Sequence, residues 1–88
     1  MFRGIRKVEK ALQITEGIID DVPKVTCYGN NKVVVSNYTC ILEYEEYLVK
    51  LNSAQGTIFV YGDNLQIGEL TVDDIMVYGR IHSVEFER

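Results

Sequence analysis

From Lys24 onward, apolar and polar residues alternate with a period of two. Eight short runs carry the pattern: KVTCYG, KVVVSN, TCILEY, EYLVKLN, TIFVYG, NLQIGEL, DIMVYG and RIHSVEF. Each is rich in Val, Ile or Tyr and is bounded by turn-favouring residues, so each is expected to form a strand. Successive strand side chains point to opposite faces. Val49 and Leu51, and likewise Ile58 and Val60, are therefore expected on one face, with Lys50 and Thr57 on the other. Near the end the phase slips, from Ile81 to Val84 and Phe86. One extra residue would absorb that slip, which predicts a β-bulge at His82-Ser83.

Ahead of Lys24 the period is different. Ile5, Val8 and Leu12 recur at helical spacing, with Arg3, Arg6, Lys7 and Lys10 around them. This predicts a short amphipathic, basic helix within residues 1–19. Pro23, the one proline, bars a helix from continuing and biases Val22 towards an extended backbone. The chain thus divides into a helical head, 1–19, and a single β domain, 20–88.

A longer repeat overlies the alternation. Tyr28, Tyr44, Tyr61 and Tyr78 stand 16, 17 and 17 positions apart, in VTCYG, ILEYE, IFVYG and IMVYG. Gly29, Gly62 and Gly79 follow three of them. The repeating unit reads as strand, turn, strand, turn, with Tyr covering the rim of the core while its hydroxyl reaches water. Gly29-Asn30-Asn31 and Gly62-Asp63-Asn64 read as tight turns, because Gly and Asn tolerate positive φ. NSAQG, 52–56, reads as a longer turn. Two architectures fit: an antiparallel meander of about eight strands curled into a sandwich or barrel, which the tight turns favour, and a small β-solenoid.

Length sharpens this picture. At 88 residues the core is small, and a partner would add to it. Self-association is therefore expected. If KVVVSN lies at a sheet edge, Val34 marks the site of strand-to-strand joining, since Lys32 is its only charged guard. If that run is central, the Ile5/Val8/Leu12 stripe is the next contact.

Charge is unevenly distributed along the chain as well. The first ten residues hold four cations against Glu9, a net of +3, and the remainder carries a net of −7. An acidic body gains nothing from a polyanion, which argues against nucleic acid. The basic head suits a protein surface or, alternatively, an anionic membrane surface. Cys27 and Cys40 sit in apolar contexts and are expected as buried free thiols. The start lacks a signal-peptide pattern, and no apolar run approaches the ~20 residues needed to cross a bilayer. The chain reads as cytoplasmic.

Candidate chemistry is sparse. His82 is the single histidine, and its neighbour Ser83 points to the opposite face of a regular strand. One His and two Cys do not make a transition-metal site. Asp20-Asp21, Glu45-Glu46 and Asp73-Asp74 fall at linker or turn positions, where solvated carboxylates are ordinary. The glycines open no phosphate-cradling helix. The expectation is a protein that is not an enzyme, with no cofactor, no metal and no small-molecule substrate.

The order of the motifs adds a further expectation. A D-x-P-x-[IV]-T opening at Asp21–Thr26 is followed by YG, then by VSNYTCILEY. A G-x-[IL]-x-[IV]-x-G-x-x-L-x-I run covers Gly56–Ile67, and V-x-G-x-I-x-x-[IV]-x-[FY] closes at Val77–Phe86. Together these resemble the YabP/YqfC family of sporulation proteins over roughly residues 20–87, closer to the YqfC branch. The resemblance implies a small protein made in the mother cell of an endospore-forming bacterium. It would act in building the spore through protein contacts, with a location at the forespore surface as one option. The family brings no catalytic residues to carry over.

Overall fold

The computed structural model describes residues 22–88; the expected helical head, with Arg3, Ile5, Arg6, Lys7, Val8, Lys10 and Leu12, lies outside them. Six strands follow one another: β1 (Lys24–Tyr28), β2 (Lys32–Ser36), β3 (Tyr38–Glu45), β4 (Leu48–Ser53), β5 (Gly56–Leu70) and β6 (Asp74–Glu87). They form one open antiparallel sheet in the order β1-β2-β6-β5-β4-β3. The all-β, antiparallel expectation holds, but the strands form one open sheet and not the expected sandwich or closed barrel, and the solenoid alternative falls. The sheet is not a simple meander, because the β1–β2 hairpin adds beside β6 at the far end from β3.

Eight runs become six strands because two pairs fuse. TIFVYG and NLQIGEL are the two halves of β5; DIMVYG and RIHSVEF are the two halves of β6. At 15 residues β5 would span about 47 Å if straight, more than the 42 Å long axis of the molecule. Bulges bend it. Tyr61 pairs with Ser83 and Gly62 with Ile81, so His82 is the extra residue of β6, as the phase slip predicted. Asp63 pairs with Arg80 and Gln66 with Tyr78, so Asn64 and Leu65 together face Gly79. A bulge bends its strand and adds twist.

Gly62-Asp63-Asn64 is thus a mid-strand bend and not a hairpin turn. The chemistry that marks a turn also suits a bulge: Asn64 adopts φ 52° and Gly79 φ 140°. Gly62 does not have positive φ. It is required for space, since a Cβ there would run into the Arg80 carbonyl oxygen. The 52–56 segment is tighter than expected. Ser53 pairs directly with Gly56, leaving a two-residue turn, and the Ser53 hydroxyl donates to the Gly56 carbonyl at 2.7 Å.

The bends divide the sheet into two arms of four strand segments, and the arms repeat each other. On the core face of one arm, Cys27, Val33, Val77 and Ile67 form one row across the strands, and Val25, Val35, Ile75 and Leu70 form the next. On the other arm the rows are Tyr44, Val49, Val60 and Val84, then Ile41, Leu51, Ile58 and Phe86. Val33, Val35, Val49, Leu51, Ile58, Val60, Ile75 and Val77 are all buried in one cluster, with Leu65 and Ile81 at the bends. A flat single sheet cannot bury one face, so the two arms fold towards each other over this core.

The doubled Val-Tyr-Gly belongs to this pseudo-twofold arrangement. Val60 and Val77 hold the same place in the two arms, and Gly62 and Gly79 lie at the two bends. Each bend is gripped by a hairpin tip. Gly62 N–H donates to Tyr47 O (3.2 Å) and Leu65 N–H to Glu46 O (2.8 Å). Gly79 N–H donates to Asn31 O (3.2 Å) and Ile81 N–H to Asn30 O (2.7 Å).

Candidate functional site

The sheet order decides which strands can receive a partner. Val34 lies on β2, between β1 and β6, paired with Thr26 on one side and Met76 on the other. Its backbone groups are within the ladder, so it is no site of strand joining. The edges are β1 and β3.

Of these, β3 is the longer and the more apolar. Beyond half-buried Tyr38 at its start, every residue is exposed. Ile41, Leu42 and Tyr44, with Tyr47 in the following turn, expose 37–60% of their surface. Two bulges irregularise the strand, at Thr39 and at Leu42, between Ile41 and Glu43. Glu43, Glu45 and Glu46 put an acidic border beside these apolar groups.

Tyrosines tie this edge back to the body. Ile67 N–H donates to the Tyr44 hydroxyl at 3.2 Å, and the Tyr38 hydroxyl donates to Thr71 O at 3.2 Å. The first reaches the outer half of β5, which has no strand partner on that side, and the second the residue just after β5 ends. Asn37, at φ 63°, holds the start of β3: its N–H donates to Asp73 O at 2.6 Å and its Nδ2 to Val22 O at 2.9 Å.

The four repeat tyrosines do not form one row. Tyr28, Tyr61 and Tyr78 point away from the core, and Tyr44 points to the core side. Lys32 lies between two of them, 4.8 Å from the Tyr28 ring centroid and 5.6 Å from that of Tyr78. The Tyr78 ring covers Gly68, where a Cβ would strike it. Tyr61 stacks on Phe59 at 6.0 Å between centroids, on the other arm. These are cross-strand packings of an exposed sheet face.

At the bend, the His82 imidazole meets the Asp63 carboxylate at 3.1 Å, both about half exposed. An open cleft beside them is lined by Glu46, Tyr47, Asp63, Asn64 and Arg80. Asp63 is placed to orient the imidazole, but no hydroxyl or thiol is held against the other ring nitrogen among the described hydrogen bonds. Cys27 and Cys40 are free and exposed. Both lie on edge strands, where one side lacks a covering neighbour, which is why their apolar sequence context misled.

Comparison with known proteins places the chain in a family. The YabP family model matches residues 20–88. The chain belongs to the YabP family. It is also 27% identical over 77 residues to the uncharacterized protein YqfC of Bacillus subtilis (strain 168), covering 88% of this chain and 83% of that one. No solved structure matches. The YabP-family match spans the whole described sheet, including both bends and both edges.

Proposed function

We propose that this YabP-family chain is a non-enzymatic structural protein of endospore formation, acting in the mother cell through protein–protein contacts, and that it assembles with itself through β3. The sporulation setting rests on the family. The assembly rests on one observation: β3 has a single strand neighbour and presents Ile41, Leu42, Tyr44 and Tyr47 to solvent. An unpaired edge offers a row of N–H and C=O groups to another strand. Antiparallel joining of β3 to a second β3 is self-complementary, the geometry of a twofold dimer. Sedimentation equilibrium of the parent and of Leu42→Lys tests it.

A second reading uses the basic head, whose four cations in ten residues suit an anionic membrane surface or a membrane-bound partner. Co-sedimentation with vesicles containing anionic lipid, with the parent and with Arg3, Arg6, Lys7 and Lys10 changed to Gln, separates this from self-assembly.

A further inference from the structure

The two arms are alike in their rows but not at their seams. On one side, the Tyr44 and Tyr38 side chains of β3 reach across to Ile67, in the outer half of β5, and to Thr71 just beyond it, while the outer backbone edge of β3 has no strand partner. By the pseudo-twofold, β1 and the outer half of β6 are the counterparts of β3 and the outer half of β5. There the position matching Tyr44 is Cys27, as the two rows Tyr44–Val49–Val60 and Cys27–Val33–Val77 show. A cysteine is too short to reach across. The core-facing residues along this second seam are Val25, Cys27, Val84 and Phe86. Val25 and Val84 pack on the core, whereas Cys27 is exposed and Phe86 is 62% exposed.

We infer that residues 1–19 of the same chain cover the β1–β6 seam, laying Ile5, Val8 and Leu12 on Cys27 and Phe86. Three observations select this occupant. The segment joins the body at the start of β1, the strand that forms one wall of the seam, and Val22 is pinned there by the Asn37 side chain. Its apolar residues recur at the spacing of one helix face, matching a narrow apolar strip. Its charge is net +2, on a body of residues 20–88 that is net −6.

Thiol accessibility reads this out in the full-length chain. With Cys40→Ser, Cys27 is the one thiol, and its rate with a neutral maleimide is compared with the rate in denaturant. Coverage predicts protection of about tenfold or more, governed by opening of the segment. Changing Ile5, Val8 and Leu12 to Asp should abolish most of it with the circular dichroism unchanged. The protection should also be independent of protein concentration. In a second variant, Val8→Cys with Cys40→Ser, mild oxidation should give an intramolecular disulfide to Cys27. Equal Cys27 rates in parent and Asp variant, or protection that vanishes on dilution and so comes from a second copy, would overturn the inference. So would a disulfide that forms only between chains.

Discussion

Tyr44 and Ile67 lie 23 positions apart in sequence and meet across one seam of the folded sheet, where the Ile67 N–H donates to the Tyr44 hydroxyl at 3.2 Å. The bond joins β3, an outer strand of one arm, to the half of β5 that edges the other. It gives an otherwise unpaired backbone donor a partner. Tyr44→Phe removes the acceptor and keeps the ring, and should cost about 0.5–1.5 kcal/mol in urea unfolding. Tyr28→Phe, on the opposite arm and pointing outward, should be neutral within about 0.5 kcal/mol.

The pseudo-twofold core predicts matched energetics. Val60 and Val77 occupy equivalent places and are both fully buried. Val60→Ala and Val77→Ala should each destabilise by roughly 2–3 kcal/mol, from lost transfer energy plus a residual cavity. Chemical denaturation of the two variants should give values within about 0.5 kcal/mol of each other. A difference several times larger would mean that the two arms are not equivalent in packing.

Glycines at the turns and bends should respond in two different ways. Gly29 has φ +60° and open space around its Cα. Its replacement by Ala should cost about 1–2 kcal/mol for the left-handed backbone, and by Asn less. Gly62 does not have positive φ, but a Cβ there meets the Arg80 carbonyl and the Leu65 side chain. Ala, Asn and Val at 62 should therefore all cost more than Ala at 29, about 3 kcal/mol or above, and rank by size. Thermal melts of the five variants check the order.

Much of the strand content was legible in the sequence. Alternation placed Val49, Leu51, Ile58 and Val60 on one buried face, and the slip after Ile81 located the bulge at His82. The fusion of runs at Gly62 was not legible, because Gly and Asn serve a reversing turn and a bulge by the same backbone freedom. Nor was edge position. KVVVSN and YTCILEYE are both apolar runs, and what separates them is a β1–β2 hairpin that docks beside β6, a long-range pairing that alternation does not encode. The exposure of Cys27 and Cys40 followed from the same unread order. The β3 surface was hidden for this reason, and Val34 stood out in its stead.

Edge and interior now make opposite predictions for two valine- and leucine-rich strands. Val34→Lys leaves the outer sheet face, where Val34 is half-buried, slightly more polar and should not alter assembly. Leu42→Lys puts a charge on the free β3 edge, the device by which monomeric proteins block strand joining. It should leave the melting temperature within a few degrees of the parent, about 1 kcal/mol or less, since Leu42 is half exposed and bulged.

Sedimentation equilibrium across the micromolar range tests the proposed assembly most directly. The parent should show a species larger than the 10.1 kDa chain, Val34→Lys should behave as the parent, and Leu42→Lys should reduce the mass to that of the single chain. A parent that remains at 10.1 kDa at every concentration, or an assembly that Leu42→Lys leaves intact, would contradict it.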